Sequence, residues 1–223
     1  MTLPQRATRL ARSWLLAAAL GAVFLMAVRS YHSYDVWHHI RCGWWALHYG
    51  PATFEPFSCT GRTLGLEWLQ YEWLAQILIF LSHQHLGVAG TILAKAALYA
   101  AAFLMLALAC GERRVRTAAA AAAVLVAALP VSQRFYVRPE VFSMAAFGYV
   151  LWAIERARAG RRGLLWGLPA VFALWANMHG AYVAGWALLG IALAGDEAGR
   201  RLRWPRSPEP GPSRVLPFAV VLA

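Results

Sequence analysis

Lysine is almost missing from this chain. Of its 21 basic residues, 20 are arginine and one, Lys95, is lysine. Charge of any sign is scarce: charged side chains make up 14% of the 223 residues, against about 25% in an average soluble domain. Cysteine is limited to Cys42, Cys59 and Cys110. None forms a Cys-x-x-Cys pair, which argues against a structural zinc site. Cys42 and Cys59 share one segment; they could pair in an oxidising compartment or stay as thiols, and spacing alone does not decide. The chain has no phosphate-binding glycine-rich loop, no Gly-x-Ser-x-Gly and no His-Glu-x-x-His. Nucleotide-driven chemistry and the common hydrolase signatures therefore have no support. The alternation of a membrane β-barrel is absent too.

What is there in abundance is apolar sequence. Hydrophobic residues make up 60% of the chain and mean hydropathy is +0.49. They come in long blocks, which reads as a bilayer protein. Lipid requires each backbone amide to be satisfied within its own segment, so these blocks are expected to be helices. The predicted fold class is all-α: a polytopic transmembrane helix bundle forming a single domain over 1–223. Spans are expected at about 13–29, 87–110, 117–131, 141–154, 164–176 and 181–194, with a truncated one from 215. The first run follows Arg6, Arg9 and Arg12 and ends in Val28-Arg29-Ser30, a poor signal-peptidase site, so it reads as an uncleaved helix. Several runs are short against the roughly 20 residues of a full crossing. Such helices either pack as a simple bundle or end below the surface and open a cavity.

Charge sets the orientation. The segments 1–12, 111–116, 155–163 and 196–214 hold 3, 3, 4 and 5 arginines. Placed in the cytoplasm they obey the positive-inside rule. Basic charge here thus reports topology, not nucleic-acid binding. Residues 196–214 read as a cytoplasmic linker. Residues 30–86 become one long extracytoplasmic loop carrying amphipathic surface helices, one of them over 66–83. On that helix Trp73, Ile77 and Phe80 lie on one side, and Glu72, Gln76 and His83 on another.

Three polar clusters then share the outer side. In the first, running from Tyr34 to Trp45, a helix puts Asp35, His38, His39 and Cys42 on one face. A carboxylate four residues from an imidazole can act as a general base with its orienter, or hold a divalent metal such as Mg or Mn through Asp35 and His39. The plainer alternative is an interfacial helix capped by Asp35. The second cluster, Gln133 to Glu140, carries Arg134 and Arg138, suited to a bidentate hold on phosphate or to lipid headgroups. The third, Trp175 to Gly180, places Asn177 and His179 at a turn between apolar runs. Lys95 reads as an interhelical ion-pair or snorkelling residue.

These residues resemble a known pattern. Asp35-x-Trp37-x-His39, Gly43, Pro51, Glu55-Pro56-Phe57-Ser58 and Glu72-Trp73-Leu74 are similar to the first outer loop of bacterial multi-pass glycosyltransferases of the GT-C superfamily, nearest to the lipopolysaccharide-core galacturonosyltransferase group. Arg138-Pro139-Glu140 and Trp175-Ala176-Asn177-x-His179-Gly180 resemble later motifs of that group. The resemblance spans about residues 12 to 195. It implies transfer of a sugar from a polyprenyl-phosphate donor to an envelope glycan, lipid or protein acceptor on the outer face of the inner (plasma) membrane, with a cytoplasmic N-terminus. It implies Asp35 as the catalytic or metal-linked carboxylate with His39 beside it, and Arg138 and Arg134 toward the donor phosphate. His38, Glu55, Glu72, Asn177 and His179 would line the site. Glu55 stands where that group usually has Asp, and the remaining spans and outer C-terminal domain of the group would lie beyond Ala223. The competing expectation is a non-enzymatic multi-pass protein, a transporter subunit or a partner in polysaccharide assembly, which would need polar residues along a path through the bilayer.

Overall fold

The computed structural model describes residues 3–31, 33–54, 56–64 and 67–202, with the backbone alone for 3–12 and 61–62. The chain is all-α. Among the described residues eight α-helices follow one another: α1 Leu3–Ala27, α2 Asp35–Tyr49, α3 Cys59–Leu64, α4 Trp73–Glu112, α5 Thr117–Val131, α6 Glu140–Arg158, α7 Leu168–Ala176 and α8 Tyr182–Arg201. No strand is formed among the described residues; one antiparallel bridge joins Phe54 and Glu67. Among the described residues, two stretches are long and apolar enough to cross a membrane, Trp73–Glu112 and Thr117–Arg134. Glu55, residues 203–214 of the expected linker and the run from 215 lie outside the described residues.

Helix α4 is two arms joined at Gly87, whose φ of 65° and ψ of −171° are non-helical. The joint is sharp. Ser82 Oγ donates to Thr91 Oγ1 at 3.1 Å, whereas nine residues of straight helix rise about 13.5 Å. Thr91 also donates back to the Gly87 carbonyl at 2.8 Å, occupying a group the break leaves open. The first arm starts at Trp73, later than the 66 expected from pattern. Its buried side is Ala75, Gln76 and Ile79. Gln76 thus points into the protein, because it has polar partners there.

The second arm packs against α1 and α5 through Val23, Ala27, Ala96, Tyr99, Phe103, Val124 and Ala128. Alanine at these positions lets the helix backbones approach closely. A second core joins α6, α7 and α8 around Val150, Ile154, Leu168, Phe172, Trp175 and Leu189. Helix α7 has nine residues, about 13.5 Å of rise, which is less than half the thickness of a bilayer core of about 30 Å. Helices α6 and α8 run past the apolar blocks to Arg158 and Arg201. Residues 196–201, expected as linker, are therefore helix. Their tails are sustained by local pairs such as Glu155 with Arg158 and Glu197 with Arg200 and Arg201.

Polar groups collect at two ends of the packed helices. One end carries Glu112, Arg113, Glu155, Arg156, Arg158, Arg161 and Asp196. There Arg113 and Arg158 both hold Glu155, Arg158 reaches Asp196 at 2.9 Å, and Arg156 and Arg161 hold Glu112. At the other end the buried Lys95 ammonium donates to the carbonyls of Arg29 (3.3 Å) and Phe135 (3.0 Å), and Tyr99 donates to that of Arg134 at 3.0 Å. Among the described residues Lys95 makes no ion pair: it ties the chain after α1 to the loop after α5 through their carbonyls.

Candidate functional site

The second end gathers the chemistry. Asp35 occupies the first turn of α2, where the helix dipole favours a carboxylate. It is not the cap, a position held by Tyr34. Arg138, from the α5–α6 loop, ion-pairs with Asp35 and donates to Ser33 Oγ at 2.9 Å. Its Nε is buried and has no hydrogen-bond partner among the described residues. The Asp35 side chain keeps 54% of its surface exposed and that of Arg138 32%, so the pair is reachable from outside.

One turn along α2, His39 is held away from Asp35. Its Nδ1 faces the Gln76 amide nitrogen at 3.3 Å. The orientation follows from a chain of donors. Ala52 N–H donates to Gln70 Oε1 (2.8 Å), and Gln70 Nε2 donates to Gln76 Oε1 (2.5 Å) and to the Cys42 carbonyl (3.1 Å). Gln76 then has its NH2 left to donate to His39. Burial lowers the His39 pKa to about 4, helped by the charges of His38, Arg138 and His179 and opposed by Asp35. His39 is therefore neutral near pH 7. His38 is exposed; its Nε2 lies 3.3 Å from Cys42 Sγ. Cys42 and Cys59 are not bonded to each other.

The third group lies where the start of α4 meets the α7–α8 turn. Glu72 Oε1 is 3.7 Å from His179 Nε2, with the two side chains 17% and 23% exposed. His179 is fixed on its other nitrogen. Ser143 Oγ is 2.9 Å from Nδ1, Ala181 N–H donates to Nδ1 at 3.3 Å, and the buried Trp175 indole donates to Ser143 Oγ at 2.7 Å. Burial lowers the His179 pKa, against an upward pull from Glu140. Burial, then the charge of Glu140, raises the Glu72 carboxyl to about 7. Glu140 itself pairs with Arg134 at 2.9 Å. Arg134 thus serves Glu140 and stands apart from the Asp35–Arg138 pair. Asn177 is engaged on every side: Trp73 Nε1 donates to its side-chain oxygen (2.9 Å), its amide donates to Ala173 O (2.8 Å), and its carbonyl accepts from Leu74 N–H (3.2 Å). It clips α7 to α4.

Among the described residues, no group of three or more His, Cys, Asp and Glu side chains is placed to hold a metal ion. Asp35 and His39 do not fit one together: the carboxylate is taken by a guanidinium and the imidazole Nδ1 by an amide. Ser33, Gln70 and Ser143 were not legible as site residues, since each is a small or neutral polar side chain with no charge to draw notice. Gln76 stood out only as a polar break in an apolar run. No family model matches the chain, and no curated protein or solved structure matches it.

Proposed function

We propose that the chain is a multi-pass protein of the bacterial inner membrane that transfers a sugar from a polyprenyl-phosphate donor to an envelope acceptor on the extracytoplasmic face, as a glycosyltransferase of GT-C type. Exposed Leu25, Val126, Leu129, Val183 and Ile191 on α1, α5 and α8 support burial of these helices in lipid, since such faces are costly in water. The arginine-rich segments 111–116 and 155–161 meet at one end, which supports a cytoplasmic placement for that end. The observation that carries the functional reading is the gathering of Asp35, Arg138, His39, Glu72 and His179 at the other end, from four separate segments of chain.

Arg138 faces the donor phosphate in this reading. Asp35 and Ser33 both accept from its Nη2 and so fix the guanidinium, which stays about one third exposed. Positive charge fixed there stabilises the phosphate as it departs. Asp35 acts through Arg138, and His39 stays neutral beside it. The non-enzymatic alternative needs charge along a path through the bilayer. Lys95, the charged side chain inside α4, is capped by two carbonyls instead, which favours the enzyme.

The test is mass spectrometry of lipid-linked sugars in a deletion strain carrying the wild-type gene or Asp35→Asn. A polyprenyl-phosphate sugar is expected to accumulate without the gene, to clear with the wild type, and to clear at least about tenfold more slowly with the variant. An unchanged lipid profile would sink the glycosyltransferase reading.

A further inference from the structure

We propose that Glu72 is the residue that takes the acceptor's proton, with His179 as its positioning partner. The proposal rests on the glycosyltransferase reading and assigns the base within it. A base needs a carboxylate with a free oxygen, partly sheltered from water and aimed by its surroundings. Asp35 has one oxygen held by Arg138 and a side chain 54% exposed, so it lacks this shelter. Glu72 has it. Arg134 goes to Glu140 and Arg138 to Asp35, and the group that faces the Glu72 carboxyl is the His179 ring.

The state of that ring follows from its contacts. Ala181 N–H can only donate, so His179 Nδ1 must accept. The Trp175 indole N–H donates to Ser143 Oγ, leaving the Ser143 hydroxyl proton to point at the same Nδ1. A neutral His179 therefore carries its proton on Nε2, the nitrogen 3.7 Å from Glu72. Trp175, Ser143, His179 and Glu72 thus form one oriented row from the buried core of α6 and α7 to the site. The row ends in an N–H that faces the carboxylate at 3.7 Å, outside hydrogen-bond distance, so it favours the ionised form only as a dipole acting through space. Against it work burial and the charge of Glu140, with neighbouring Tyr71 adding no positive charge; on the far side His179 feels His39. The carboxyl is thereby poised to ionise near neutral pH.

In the reaction the acceptor O–H bond breaks and its proton moves to a Glu72 oxygen. The acceptor oxygen bonds to the anomeric carbon of the sugar. The bond from that carbon to the phosphate oxygen breaks, and its electron pair leaves with the polyprenyl phosphate, facing Arg138. Glu72 later loses the proton to water.

The experiment pairs clearance of lipid-linked sugar in cells with binding of a polyprenyl monophosphate to the purified full chain in detergent. For Glu72→Gln, clearance is expected to fall by about 100-fold, with polyprenyl monophosphate affinity within about threefold of wild type. For His179→Ala, removal of the Nε2–H is expected to shift the pH of half-maximal clearance upward in spheroplasts buffered from pH 6 to 8. If wild type clears and Glu72→Gln clears equally, the assignment is overturned and the glycosyltransferase reading stands. If Glu72→Gln loses polyprenyl monophosphate binding along with clearance, Glu72 is a structural residue and the assignment fails. A His179→Ala protein that is slower with an unmoved midpoint removes His179 from the role. If wild type itself clears no lipid-linked sugar, the underlying reading falls first.

Discussion

His39 and Glu72 are pushed to opposite neutral forms by one cause, their burial. His39 has a folded pKa of about 4 against 6.5 for the free side chain. Between those values the folded chain binds fewer protons than the unfolded one, so stability falls as pH drops from 6.5 toward 4. Glu72, raised from 4.5 to about 7, does the reverse: the folded chain holds the extra proton, and stability falls as pH rises from 4.5 toward 7. His39→Gln removes the first contribution alone. Its thermal midpoint relative to wild type is expected to improve steadily between pH 7 and pH 4 in detergent melts; a constant offset would refute the assignment of a buried, neutral His39. Sequence pointed to His39 and Glu72 because each is a rare ionisable group in an apolar chain. It could not pair them with Gln76 and His179, which lie 37 and 107 positions away and are reached only by helix packing.

Among the elements, α2 and the first arm of α4 depend on a missing side chain. A Cβ on Gly43 would overlap the Gln76 carbonyl oxygen and sit 2.9 Å from Phe80 Cβ. Backbone cannot yield as a flexible side chain can. Gly43→Ala is therefore expected to push α2 away from α4, costing about 1–3 kcal/mol and loosening the His39–Gln76 contact. Thermal melts measure the first effect, and a His39 titration by NMR moving back toward 6.5 measures the second. The helical face of Asp35 and His39 was readable from spacing, and α2 forms over Asp35–Tyr49. The break at Gly87 was harder to read. A lone glycine in an apolar run signals weakness, and its positive φ becomes visible only with Ser82 and Thr91 in contact across the bend.

For the whole molecule, the proposed assignment of two sides rests on the arginine count, which is legible because each arginine-rich segment is contiguous in the chain. The acidic residues that answer those arginines were not legible in the same way. Glu112, Glu155 and Asp196 sit at the ends of three helices, and only packing brings them to Arg113, Arg156, Arg158 and Arg161. The proposed topology makes a direct prediction. Cys59 is exposed and in that topology faces the extracytoplasmic side. With Cys42 and Cys110 replaced, a membrane-impermeant maleimide is expected to label Cys59 in spheroplasts. Gly160→Cys in a cysteine-free background is expected to react only after permeabilisation. Labelling of both in sealed spheroplasts would overturn the assignment of sides.

Lys95 has a consequence beyond its two carbonyls. As the sole lysine in the chain, it is the one side chain that an amine-directed reagent can modify, apart from the α-amino group. With 3% of its surface exposed, it is shielded while the chain after α1 stays fastened to the loop after α5. Acylation at this single position thus counts openings of the fastening, molecule by molecule. The scarcity of lysine gives this protein a built-in clock for the loosening of the end that carries Asp35 and Arg138.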